Sequence, residues 1–234
     1  MNGIADLEPA TKESLDRVAA NRLREALVSG RIAAGVRLTE ISLAEQFGLS
    51  RGTIRAALQR LTSEGLIVQR PYTGWEVTTL SRHDVWELGT LRASLESLAG
   101  RLTAERIDDG ARSALMNAFR AMENAARDDS EDLLAADLAF HRTIVSLSGN
   151  NRLAHHYDLI TNQLRLYIAS SNHLVGIEGG IIDRHHELIE PILKGDGEAA
   201  EQAFQRFFQR ANRELANFLA VGEREVETGL KSKA

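Results

Sequence analysis

Two groups of residues have the types and spacing to do chemistry. Asp137 and His141 stand four apart in Asp-Leu-Ala-Phe-His, which puts a carboxylate and an imidazole on one face of a helix. His185 opens an apolar stretch, Ile181 to Leu193, that as a helix would pack beside the first. Three such ligands projecting inward suit Zn²⁺, Ni²⁺ or Mn²⁺. The same spacing also fits an ordinary Asp–His pair on a helix surface, with His185 or His186 exposed, because three ligands on separate helices are not a local motif. The second group is Ser50-Arg51-Gly52-Thr53-Ile54-Arg55. Arg51 and Arg55 share one helix face, while Ile54, Ala57, Leu58 and Leu61 take the opposite one. A guanidinium can bond both O6 and N7 of guanine, worth about 1–3 kcal/mol of discrimination per pair. The alternative is a solvated arginine, or an ion pair with Glu45 or Glu64.

Composition narrows the field. The 234 residues include 43% hydrophobic and 26% charged, enough apolar material for packed cores, and the length suits two ordinary domains. The absence of cysteine excludes disulfides, thiolate zinc sites and cysteine nucleophiles, so any metal needs His or carboxylate ligands. Met1 to Glu8 carries two acids and no basic apolar leader, and no stretch approaches the roughly 18 apolar residues of a membrane span. The expectation is a soluble cytoplasmic protein with no membrane partner. The net charge of −5 argues against nucleic acid only if the chain is one body. Residues 31 to 70 hold six arginines against three glutamates, a local +3, leaving −8 for the rest.

The elements that must position these residues follow from periodicity. Apolar residues at 15, 18, 19, 23, 26 and 27 make a helical stripe ending at Gly30. Thr39 can cap a short helix through Phe47 that stops at Gly48, and Ser50 can cap a third running to Gly65. Leu66 to Val68 and Trp75 to Val77, around Pro71-Tyr72-Thr73-Gly74, predict a two-stranded wing. Ser81-Arg82-His83-Asp84 reads as a capping box. Beyond it, helices are predicted near 82–107, 110–127, 131–148, 151–171, 179–194 and 197–221, a bundle. The predicted fold is therefore mainly α: a winged helix-turn-helix domain at 13–80, an all-α helical-bundle domain at 81–222, and flexible tails at 1–12 and 223–234.

A family resemblance now enters. Leu27-x2-Gly30, Gly35-x-Arg37-Leu38-x-Glu40, Leu43-Ala44-Glu45, Gly48-x-Ser50-Arg51, Arg55-x-Ala57-Leu58, Gly65-Leu66 and Gly74-x2-Val77 together resemble the winged helix domain of the GntR family. The resemblance implies that Ser50, Arg51, Thr53 and Arg55 contact DNA, with Arg37 counted alongside them, and that the wing around Thr73 and Gly74 touches the minor groove or backbone. Gly52 stands where the family usually has Thr, which removes one expected contact.

The second domain is similar to the FCD ligand-binding domain of the FadR-type subfamily, through Leu91-Arg92-x2-Leu95-Glu96, Asp137-x3-His141, Ser148-Gly149-Asn150, His185 and Gly195-Asp196-x2-Ala199. Many members place one Asp and three His around a metal. Asp137, His141 and His185 fall on three of those positions and Phe207 on the fourth, so a divalent metal is either held by three side chains plus water or effector, or has been lost. Arg92 and Arg165 lie in helices expected to line the same cavity, where either could grip an effector carboxylate. Arg165 could equally be exposed beside Gln163, and His155, His156 and His173 read as surface or helix-end residues.

The function expected is a homodimeric transcription regulator, repressor or activator, that binds a short palindromic operator and answers to a small organic acid. The rival is a metal-dependent enzyme using Asp137, His141 and His185. No further carboxylate, Ser or Lys falls in a recognisable general-base or nucleophile arrangement, and an enzyme would not need residues 13 to 80.

Overall fold

A computed structural model describes residues 14–71, 73–128, 133–171 and 180–213. The chain divides into two units, Met1–Thr79 with Arg165–Ser170, and Leu80–Leu164 with Ser171–Ala234. The expected tails at 1–12 and 223–234, and His173, lie outside the described residues.

In the first unit α1 (Leu15–Val28), β1 (Arg37–Leu38), α2 (Glu40–Phe47) and α3 (Arg51–Ser63) precede β2 (Ile67–Arg70) and β3 (Gly74–Val77). Local chemistry sets the boundaries of the two central helices. The Thr39 hydroxyl accepts the Ser42 N–H at 3.2 Å, and the Ser50 hydroxyl accepts the Thr53 N–H at 3.1 Å, satisfying amides that the helix itself leaves unpaired. Between them Gly48 ends α2 at φ 63°, a left-handed conformation that costs glycine nothing. The tight turn thus sets α3 against α1 and α2 over a core of Ala19, Leu23, Leu27, Ile54, Leu58 and Leu61.

The sheet corrects one expectation. It has three strands in the order β1-β3-β2, all antiparallel, with Arg37 opposite Glu76 and Leu38 opposite Trp75. At two residues β1 is too short for any alternation to show. It exists because β3 offers it a partner, and Leu38 and Trp75 are both buried.

The second unit holds α4 (Arg82–Glu105), α5 (Asp109–Arg127), α6 (Leu133–Leu147), α7 (Asn151–Ser171) up to Leu164, α8 (Ile181–Lys194) and a helix over 197–213, here α9. The Ser81/Asp84 capping box opens α4. Asp108 accepts the Ala111 N–H at 2.7 Å to open α5, and Asp196 accepts the Ala199 N–H at 3.0 Å to open α9. One core, including Leu115, Phe119, Phe140, Ile144, Tyr157 and Phe204, binds these helices. Gly100 on α4 lets α9 lie close: a Cβ there would stand 2.6 Å from the Phe204 ring.

Candidate functional site

Helix α6 carries Asp137 and His141 one turn apart, and α8 presents His185 to the same point. His185 Nε2 lies 2.9 Å from Asp137 Oδ1 and 3.1 Å from His141 Nε2, and His141 Nε2 lies 3.8 Å from Asp137 Oδ1. Metal bonds of about 2.0–2.2 Å place neighbouring ligand atoms roughly 3.0–3.5 Å apart in octahedral or tetrahedral shells. Two of the three separations are close to that window and the third, 3.8 Å, exceeds it by a few tenths, so two imidazole nitrogens and one carboxylate oxygen could close on a divalent ion of the borderline class, on one side of its shell. Both histidines are buried. The surface-pair alternative for Asp137 and His141 does not describe this arrangement.

Phe207 on α9 stands where the fourth ligand was expected, its ring centroid 5.0 Å from that of His185 and 5.6 Å from that of His141. A phenyl ring has no donor, so the cluster has three side-chain ligands and an apolar wall. Phe140, Phe204 and Phe208 also pack around the imidazoles.

Sequence reasoning missed Glu96 as a site residue. Its side chain is fully buried on α4, with Oε1 accepting Arg92 Nε at 2.6 Å and Oε2 paired with His141 Nδ1. Arg92 also lies over the Phe208 ring, 5.1 Å from its centroid. An Arg and a Glu four apart read from sequence as a surface pair, and no local signal marks this pair as buried.

The electrostatics follow from that packing. Burial alone would raise the Asp137 carboxyl, but its hydrogen bond to His185 and its interactions with His141 and Arg92 hold it at about 2. Burial would likewise raise Glu96, yet Arg92 and His141 outweigh it and keep the carboxyl below its ordinary value. Burial pushes the Tyr157 hydroxyl upward, with Glu96 adding to the effect. Tyr157 and Thr161 stand one turn apart on α7 with buried hydroxyls, which interact with each other and, among the described residues, have no other hydrogen-bond partner. Tyr157 also lies electrostatically near the charged cluster.

Arg165 falls in the stretch of α7 that groups with the first unit, its guanidinium 3.8 Å from Glu25. His155 and His156 are exposed.

In the first unit, Arg37, Ser50, Arg51, Arg55, Thr73 and Gly74 are all exposed and Thr53 is half-buried, while Ile54, Ala57, Leu58 and Leu61 are buried on the other face of α3. Thr53 is occupied by the cap, its Oγ1 2.8 Å from that of Ser50. Glu64 takes Arg24 at 2.6 Å. Arg55 instead makes a two-pronged pair with Glu40, at 2.8 Å on each prong, and Glu40 lies 3.4 Å from Trp75 Nε1 on β3. The hydrogen bond from Arg55 lowers the Glu40 carboxyl below its usual value. Among the described residues Arg51 makes no ion pair.

Comparison with known proteins finds a family match for each of the two regions. The profile described as bacterial regulatory proteins, gntR family, matches residues 15–77, and that of the FCD domain matches residues 87–210. The chain is 29% identical over 209 residues to the uncharacterized HTH-type transcriptional regulator YdhC of Bacillus subtilis, covering 87% of this chain and 92% of the relative. It is 28% identical over 200 residues to the probable D-xylose utilization operon transcriptional repressor of Paenarthrobacter nicotinovorans, covering 83% and 88%. A structure from Rhodococcus sp. RHA1 named as a GntR regulator matches with a TM-score of 0.73 at 25% identity, over 88% of this chain and 99% of that one.

Proposed function

The chain belongs to the GntR family of bacterial regulatory proteins and carries an FCD domain, and from that premise we propose that a small carboxylic acid, held at the Asp137–His141–His185 cluster, sets its affinity for a palindromic operator. It is a transcription regulator and not an enzyme, so the metal-dependent enzyme is set aside. Among the described residues no helix is long and apolar enough to cross a membrane.

The observation that carries the effector reading is the buried charge set of the second unit. Arg92 contributes one positive charge against Glu96 and Asp137, so with the imidazoles neutral, as coordination requires, the cluster sums to −1. Asp137, His141 and His185 would hold a divalent ion, which would turn this to +1 and would supply a Lewis-acidic point for a carboxylate oxygen. Arg92 commits its Nε to Glu96, leaving its terminal nitrogens as the second grip on that carboxylate. Phe207 and Phe208 favour an apolar body beside the acid group, and Tyr157 and Thr161 offer it hydroxyls.

At the other unit, Arg51 reads a base from α3, while Arg55, its fork held by Glu40, contacts the DNA beside it and Ser50, Thr53, Arg37, Thr73 and Gly74 meet the phosphates or the minor groove. The effector works by binding one state of a homodimer better than another, which shifts operator affinity by that difference, typically about 1–3 kcal/mol. A thermal-shift screen of small organic acids tests this, run with chelator and with Zn²⁺, Ni²⁺ or Mn²⁺. Stabilisation by a carboxylic acid that vanishes on chelation is the expected result. Stabilisation only by uncharged ligands, indifferent to metal, would sink the reading.

A further inference from the structure

We infer that Glu96 is a positioning residue for this centre: it fixes the tautomer of His141 so that the Nε2 lone pair faces Asp137 and His185. The inference rests on the metal reading above only for its second measurement, not for its first.

The geometry orients the imidazole. His141 presents Nδ1 to Glu96 Oε2 and Nε2 to the other two ligand atoms. An ionised carboxylate only accepts hydrogen bonds, so Nδ1 must carry the proton and, in the neutral ring, Nε2 must not. The other Glu96 oxygen accepts Arg92 Nε at 2.6 Å, so the guanidinium holds the buried carboxylate in place as an acceptor for His141. Arg92 is in turn held over the Phe208 ring. A support line thus runs from α9 through Arg92 and Glu96 on α4 to His141 on α6. An imidazole that donates its second N–H to a carboxylate is both oriented and made a better metal donor, and loss of such a partner typically costs about 10–100-fold in metal affinity.

The alternative is that Arg92 and Glu96 form a structural ion pair that merely happens to touch His141. Two measurements on the full-length protein separate the readings. The first is the tautomer itself, from long-range ¹H–¹⁵N correlation on metal-free, ¹⁵N-histidine-labelled wild type. We expect His141 to be protonated on Nδ1; protonation on Nε2 alone overturns the inference, and this needs no variant and no metal. The second is calorimetric titration with Zn²⁺ of wild type, Glu96→Gln and Glu96→Asp. The expected result is a loss of roughly 10–100-fold for Gln and a smaller loss for Asp, which keeps the acceptor. Equal Zn²⁺ affinity in Glu96→Gln, with only its unfolding midpoint lowered, assigns Glu96 to structure and overturns the inference. If neither variant folds, the tautomer in wild type decides. If wild type binds no Zn²⁺, the metal reading fails while the tautomer still decides the role of Glu96.

Discussion

Phe207 is the residue that sets this centre apart from a four-ligand one, and its effect is measurable. With its ring 5.0 Å from that of His185, Phe207→His would bring a fourth nitrogen to the cluster. Wild type should hold Zn²⁺ or Ni²⁺ weakly enough for dialysis against chelator to remove it, and Phe207→His should bind more tightly, as read by calorimetry and elemental analysis. One metal per wild-type chain surviving chelator would defeat this, as would no gain in the variant. A second expectation concerns acid. The folded Asp137 carboxyl, at about 2, lies below the roughly 3.9 of an unfolded Asp. Its contribution to stability is therefore complete above the unfolded value and is lost as pH falls through the folded one. In metal-free protein the urea midpoints of wild type and Asp137→Asn should converge as pH drops from 5 toward about 2, whereas a gap constant over that range contradicts the assignment. Sequence reasoning could name Asp137, His141, His185 and Phe207 through the resemblance. It named Glu96 only within the resemblance motif and could not place it at the centre, because burial of an Arg–Glu pair is decided by how α4, α6 and α9 pack and not by the spacing along α4.

Among the elements, α3 carries the clearest test. Arg51→Ala and Arg55→Ala should each abolish specific operator binding with the circular dichroism unchanged, since both side chains are exposed and neither packs in the core. Wild-type affinity and sequence preference in both, at physiological salt, would remove α3 from the major groove. The two need not fail alike. Arg55 is gripped by Glu40, which also approaches Trp75 of the wing strand, so its loss disturbs the wing as well as the reading face. The caps at Thr39, Ser50 and Ser81 and the stop at Gly48 were legible because each is a local competition between side chain and backbone. Strand β1 was not. Two residues carry no period, and the pairing that creates the strand comes from residues 75 and 76, nearly forty positions away.

For the molecule as a whole, a palindromic operator needs two reading helices at a fixed separation, so the protein should sediment as a dimer at micromolar concentration. A monomer under those conditions, with and without operator DNA, would contradict the homodimer. Charge is distributed to the same purpose. The chain is acidic overall, but residues 31 to 70 are locally positive, so operator affinity should fall steeply with added salt while acid binding in the second unit should not, its charges being buried.

The contact between Gly100 and Phe204 bears on how such a regulator changes allegiance. The ring sits 2.6 Å from where a methyl group would be, and Phe207 and Phe208 follow on the same helix. Gly100→Ala would push α9 outward and carry both rings with it, moving the apolar wall beside His141 and His185 without altering any residue of that cluster. A single methyl group would in this way retune the cluster's surroundings and leave every residue of α3 as it is.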